Sequence, residues 1–303
     1  MSAQAETWLA PERGNHAVMA VVLFLARILG RKVLSRLIWP ISLYYLLHDG
    51  TARRGSYVYL SRVLGRRPTW REMWRHLHAY GLVVLDRIFI LGHSASVPPY
   101  TVTGGEAVLE ALDKGKGCIL LGAHIGSFDA LRSVGRFASS KIRLRVLMYR
   151  RFVGGASKAI EQLDPAYESA IIHIGEPQTM LRVAEALQKG DVVAILGDRA
   201  PDAGRYMSVP VFGKMAPVPI GPLRLAAITG APVLLFSALR CSDGHYDIRF
   251  ELFADQIVLE GKRAEQTQTL KTWLTRYAAW LETLCARDPF SWFNFYDFWK
   301  ERS

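Results

Sequence analysis

The chain has two hydrophobic rhythms. Up to about residue 92 the apolar positions recur at helical spacing. Ala17 to Ala26 is an unbroken apolar run, "LIWPISLYYLL" is a second with Pro40 inside it, and Tyr57, Leu60, Val63 and Leu64 share a face. Gly65 and Pro68 punctuate, Thr69 is placed to cap, and Trp70 to Leu91 continues with Met73, Leu77, Tyr80 and Val84 on one side. "HSASVPPY" is the first loop, and beyond Thr101 short apolar strands alternate with amphipathic helices. Strands are predicted near 118–122, 142–148, 169–174 and 191–197, and helices near 105–114, 127–138, 155–163 and 177–189. Segments 232–239 and 245–252, joined by "RCSDG", read as an antiparallel hairpin or edge. Leu270, Trp273, Leu274, Tyr277, Trp280, Leu281 and Leu284 mark one face of a long closing helix. This alternation predicts an α/β fold with a mostly parallel sheet flanked by helices. The expected organisation is a helical, basic, membrane-associating region over 1–92 and an α/β catalytic domain over 93–303, with no internal repeat.

Half of the 303 residues are hydrophobic, enough to bury a sizeable core. Cys118, Cys241 and Cys285 are odd in number and far apart, which predicts reduced thiols rather than a disulfide framework. The net charge of +11 is unevenly placed, because residues 1–90 hold 13 Lys+Arg against 5 Asp+Glu. Basic residues Arg27, Arg31, Lys32 and Arg36 lie between two apolar runs that are each too short for a confident span of ~18 or more residues. The preferred reading is a monotopic anchor: apolar faces in the lipid, arginines at the headgroups, each basic residue contributing roughly 1 kcal/mol at an anionic surface. Two core helices with a basic edge and a short transmembrane span are the alternatives. Glu6 and Glu12 before the apolar run argue against a signal peptide. Nucleic-acid binding is not expected, since the charge is interleaved with apolar runs and no recognised motif is present.

The candidate chemistry lies in "CILLGAHIGSFDALR", residues 118–132. A strand there would deliver His124 beyond its carboxyl end, where parallel α/β sheets bind ligands. Gly122 and Gly126 permit a tight turn, Ser127 can cap the next helix, and Asp129 sits in its first turn, so His124 and Asp129 can meet. A carboxylate on one imidazole nitrogen makes the other a base for an incoming hydroxyl, and free N–H groups at the helix start suit a phosphate or an oxyanion. By itself the pattern also fits a structural histidine and an aspartate serving the helix dipole. No G-x-S-x-G elbow is present. His76 and His78 fall at i, i+2 on a helix and point apart.

"HIGSFD" resembles the H-x-x-x-x-D/E motif of the glycerolipid and lysophospholipid acyltransferase superfamily. The ordered set of "WLAPERGNHAVM", "LGRKVLSRLIWPISLYYL", the arginine of "VLMYRR", "GDRAPDAG", "VPVFGKMAPVPIGPLRLAAITGAPV" and a terminal P-x-x-W resembles the bacterial lipid A late acyltransferases over roughly residues 8 to 293. The resemblance implies His124 as general base with Asp129 as its orienting partner. It implies that Arg150 and Asp198 belong to the active site; Arg199, beside Asp198, is by its charge suited to pair with phosphate, and Gly126 and Ser127 of the turn are by their position candidates for substrate binding. It also implies that "VPVFGK" shapes an acyl groove. Arg150 is suited to a phosphate or to the oxyanion of a tetrahedral intermediate. The F-P-E-G-T-R segment of the glycerophospholipid enzymes is absent, and "GDRAPDAG" departs from the D-Q/H-D pattern of the lipid A enzymes. The acceptor is therefore open among a lipid A-like glycolipid, an aminolipid and a lipid-linked pigment.

The function so implied is an O-acyltransferase at the cytoplasmic face of a bacterial inner membrane. It would move a fatty acyl chain from acyl carrier protein, or from coenzyme A, to a hydroxyl of a membrane lipid. Direct transfer calls for no metal and no resident cofactor. The basic region suits both anionic lipid and an acidic carrier protein. A non-catalytic lipid-binding protein is the alternative from another class. A third reading, metal-dependent phosphohydrolysis at Asp198 and Asp202, lacks a histidine partner nearby.

Overall fold

The computed structural model describes residues 16–92, 97–131, 133, 142–149, 165–199 and 205–300. Three helices come first: α1 (His16–His48), α2 (Gly50–Val63) and α3 (Trp70–Leu91). α1 is kinked at Gly30, whose φ of 69° and ψ of 170° are not helical. Asp49 caps α2 by accepting from the Thr51 and Ala52 amides. Thr69 caps α3 in a capping box with Glu72, so the expected start of that helix is the observed one. No helix among the described residues is long and apolar enough to cross a membrane. α1 nevertheless presents a broad apolar surface, with Phe24, Ile28, Trp39, Tyr44 and Leu47 all exposed.

The rest is α/β. The elements are β1 (Tyr100–Thr103), α4 (Gly105–Asp113), β2 (Cys118–Gly122), β3 (Leu144–Tyr149), α5 (Pro165–Ala170), β4 (Ile171–Ile174), α6 (Thr179–Gln188) and β5 (Val192–Leu196). They continue with β6 (Tyr206–Val211), β7 (Lys214–Pro219), α7 (Gly221–Thr229), β8 (Val233–Arg240), β9 (Tyr246–Ala254) and α8 (Arg263–Arg287). Seven strands form one sheet in the order β1-β9-β8-β2-β5-β3-β4. β2, β3, β4, β5 and β8 run parallel, and β9 turns back antiparallel on β8 as the hairpin reading expected. β1 and the separate β6–β7 hairpin were not anticipated, nor was α7. The helix expected over 155–163 and half of that over 127–138 lie outside the described residues.

β2 shows why the centre of the sheet reads as an unbroken apolar run. All five of its residues are buried because both faces are covered. Side chains alternate across a strand, so Ile119 and Leu121 join one core with Val193, Ile195 and Leu235, while Cys118 and Leu120 join the other with Val192, Ala194 and Leu234. α8 packs into the first core through Leu270, Leu274, Tyr277, Leu281 and Leu284, five of the seven residues its sequence period picks out.

The helical region is fixed to the sheet by a buried charge. Asp86 of α3, 1% exposed, accepts from Arg31 Nε of α1 at 2.6 Å. It also accepts from Arg240 Nε of β8 at 2.8 Å and from the Tyr246 hydroxyl of β9 at 2.9 Å. Arg31 reaches on to the Gly244 carbonyl at 2.7 Å. A carboxylate this deep is tolerable only because each of its oxygens is hydrogen-bonded to a cation or a hydroxyl.

Candidate active site

The site is built from two neighbouring strand ends. β2 and β5 are paired in parallel from Cys118↔Val192 to Gly122↔Leu196. Two residues past each end stand His124 and Asp198, which the register therefore brings to the same height. The Gly122 carbonyl accepts from the Gly197 amide at 2.8 Å and from the Tyr277 hydroxyl of α8 at 2.8 Å, locking the two ends together. His124 Nδ1 then lies 2.7 Å from Asp198 Oδ1. The same oxygen accepts from the His124 amide at 3.2 Å, and Oδ2 accepts from the Trp292 indole N–H at 3.0 Å.

Asp198 is 3% exposed, whereas 34% of the His124 side chain is open to solvent. An ionised carboxylate only accepts, so Nδ1 carries the ring proton and Nε2 is left with a free lone pair. No hydrogen bond to Nε2 is made among the described residues. Burial tends to raise the Asp198 carboxyl, but the imidazole, Arg199 and the Trp292 indole outweigh it and hold the group below the ordinary carboxylate range. Desolvation of the enclosed side of the imidazole, followed by the positive charge of Arg199, lowers His124 from its usual value against the pull of Asp198. The open edge of the ring governs what can reach it. At neutral pH the pair is a neutral imidazole against a carboxylate.

This corrects the expected pairing. Asp129 does not meet His124; its Oδ2 lies 3.1 Å from Arg87 Nε of α3, and its Oδ1 makes no hydrogen bond among the described residues. The reason lies in the turn between them. Gly126 adopts φ 66°, its amide bonds the Ser291 carbonyl, and the next amide, of Ser127, bonds the Ala238 carbonyl of β8. A Cβ on Gly126 would sit 1.9 Å from that same carbonyl oxygen, so only glycine fits. The chain is thus redirected before Asp129 begins the next segment. Ser127 is buried, and its hydroxyl accepts from the Ala130 amide, the capping role its position indicated.

Arg199 follows Asp198 directly. Its Nη2 donates to the Phe293 carbonyl at 3.2 Å, its guanidinium carbon lies 5.9 Å over the Tyr296 ring, and its buried Nε has no hydrogen-bond partner among the described residues. Arg150 is the first residue after β3 and lies outside the described residues, as does Asp202. Sequence reasoning placed Asp198 at a strand end but not opposite His124. Trp292 was visible only as the tryptophan of a terminal motif, and Arg87 gave no signal at all. His245 pairs with Asp243 at 2.6 Å, on the turn between β8 and β9.

A surface cavity of about 960 Å³ lies elsewhere, where the start of α2 meets the C-terminal segment; Arg53, Tyr57, Trp70, Tyr296 and Lys300 line it and His124 does not. Side-chain chemistry rather than cavity size therefore marks the site. Among the described residues no group of three His, Cys, Asp or Glu side chains is placed to hold a metal ion. Comparison with family models and with curated proteins finds no match to the chain.

Proposed function

We propose that the protein is an O-acyltransferase in which His124 and Asp198 form the base dyad, acting on a hydroxyl of a membrane lipid. The observation that carries this reading is the 2.7 Å contact between His124 Nδ1 and Asp198 Oδ1 at the carboxyl ends of two adjacent parallel strands, with no hydrogen bond to the other ring nitrogen among the described residues. Nε2 removes the proton of the acceptor hydroxyl as its oxygen attacks the carbonyl of an acyl thioester. The tetrahedral intermediate carries its negative charge on the former carbonyl oxygen, and Arg199, the cation whose charge acts on His124 among the described residues, is suited to answer it. Collapse breaks the C–S bond, and the imidazolium returns its proton to the departing thiolate. The products are an ester and a free thiol, so the protons balance without an acyl-enzyme.

The lipid acceptor and the membrane face draw support from α1. Its exposed Phe24, Ile28, Leu37, Trp39 and Leu47 are accompanied by exposed Lys32 and Arg36, the composition of a helix that lies in an anionic interface. The resemblance to the lipid A late acyltransferases points to acyl carrier protein or coenzyme A as donor, and to the cytoplasmic face of an inner membrane. The test is mass spectrometry of total lipid after native-host membranes are incubated with purified protein and a mixed-length acyl-carrier-protein or acyl-coenzyme A pool. A new acylated lipid made by the wild type and not by His124→Ala is the expected result and names acceptor and chain length. Full activity in a folded His124→Ala protein, or no product with either donor, overturns the reading and leaves lipid binding.

A further inference from the structure

Asp198 Oδ1 has two donors from His124, but Oδ2 has the Trp292 indole. We infer that Trp292 is a positioning residue for the dyad: its indole N–H fixes the plane of the Asp198 carboxylate and thereby aims His124. This deepens the acyltransfer reading and rests on it for its kinetic consequences.

Trp292 is unusually well fixed. It is fully buried, with the Tyr59 ring edge-on at 5.2 Å and Phe298 edge-on at 4.9 Å. Its carbonyl accepts from His76 Nε2 at 2.8 Å, and His76 Nδ1 lies 3.0 Å from the Ser56 hydroxyl. Burial pushes His76 down to about 4, so this histidine stays neutral and donates from Nε2 while accepting at Nδ1. The neighbouring amide, of Phe293, donates to the His124 carbonyl at 2.8 Å. One short segment thus holds the acid of the dyad by a side chain and the base by its backbone. Packing alone would be met by phenylalanine; the N–H is what the buried carboxylate requires, because an ionised oxygen left without a donor is costly. Among the described residues, the other titratable groups around the carboxylate are Arg199 from its own turn and Tyr277 and Cys285 from α8, and none of these donates to Oδ2.

The experiment compares the wild type with Trp292→Phe, and with a full-length protein carrying benzothienylalanine at position 292. That residue keeps the indole shape and puts sulfur where the N–H stood. The first readout is the His124 titration followed by NMR of histidine-labelled protein, which needs no turnover. Loss of the donor returns charge to the carboxylate and strengthens its hold on the imidazolium, so the His124 midpoint is expected to rise by about half a pH unit. The second readout is acyl transfer, where kcat is expected to fall about tenfold with KM unchanged, as for an interaction realised in the transition state. A benzothienylalanine protein with the wild-type midpoint and wild-type kcat overturns the assignment, whatever becomes of the phenylalanine variant. A shifted midpoint in a protein whose wild type transfers no acyl group supports the positioning role and overturns the acyltransfer reading instead.

Discussion

Replacing Asp198 with asparagine separates the dyad seen in the structure from the pair its sequence spacing points to. Three donors converge on this carboxylate: the His124 ring, the His124 amide and the Trp292 indole. An asparagine has one accepting oxygen, so its amide group must face either His124 or Trp292. Facing His124, it donates to Nδ1, moves the ring proton to Nε2 and removes the base. Facing Trp292, it sets two donors against each other at a buried site, a loss of about 1–3 kcal/mol in stability. In the Ser-His-Asp triad the equivalent tautomer change costs roughly 10⁴ in kcat. The carboxylate of Asp198 has the same geometric relation to its histidine, so Asp198→Asn is expected to lower kcat/KM by about 10³–10⁴, or about 4–5.5 kcal/mol of transition-state stabilisation. Asp129→Asn retains an oxygen for Arg87 and leaves His124 untouched, so a loss of less than about tenfold is expected. The assay is release of free thiol from an acyl thioester in the presence of membranes, run on both variants after circular dichroism has established folding. A thousandfold loss in Asp129→Asn beside near wild-type activity in Asp198→Asn would refute the reasoning.

Three further outcomes follow from the same contacts. His76 titrates near 4 in the fold against about 6.5 unfolded, so the unfolded chain binds the extra proton and stability falls as pH drops from 6.5 toward 4; denaturant titrations at pH 7 and pH 5 should differ by about 2 kcal/mol from this residue, and His76→Asn should remove that step. Asp86→Ala strands Arg31 and Arg240 at the junction of α1, α3 and β8 and is expected to cost about 3–5 kcal/mol, read as a lowered denaturant midpoint; an unchanged midpoint would mean that the network holds nothing. Gly126→Ala forces a Cβ into the Ala238 carbonyl at a positive φ, for an expected loss of about 2–4 kcal/mol in chemical denaturation, and wild-type stability would show that the turn relaxes freely.

Much of the fold was legible because its parts are local. β2 falls where the apolar run ends at Gly122, the capping box of α3 is spelled by Thr69 and Glu72, and the hairpin of β8 and β9 was apparent from its turn. The elements that escaped have weak local signals. β1 is four residues long with only Tyr100 half-buried, and β6 and β7 contain Pro210, Pro217 and Pro219, which demote a strand reading. The site was legible in composition but not in pairing. Strand ends at Gly122 and Leu196 were predictable, yet that β5 rather than β3 lies beside β2 is a matter of sheet order, which no spacing encodes. Asp129, five residues from His124, was the nearer carboxylate in sequence; Asp198, 74 residues away, is the nearer one in space.

The clasp formed by residue 292 also sets the order in which a growing chain becomes competent. Of the two neighbours of the central strand β2, β5 is synthesised before β8. Trp292 reaches back 94 residues to Asp198 and 216 to His76. At synthesis rates of about 5–20 residues per second, the carboxylate waits about 5–20 s for the indole that completes its shell. The sheet can therefore condense while the His124–Asp198 pair is still unclasped, so a ribosome-bound chain is architecturally advanced before this pair has its full set of partners.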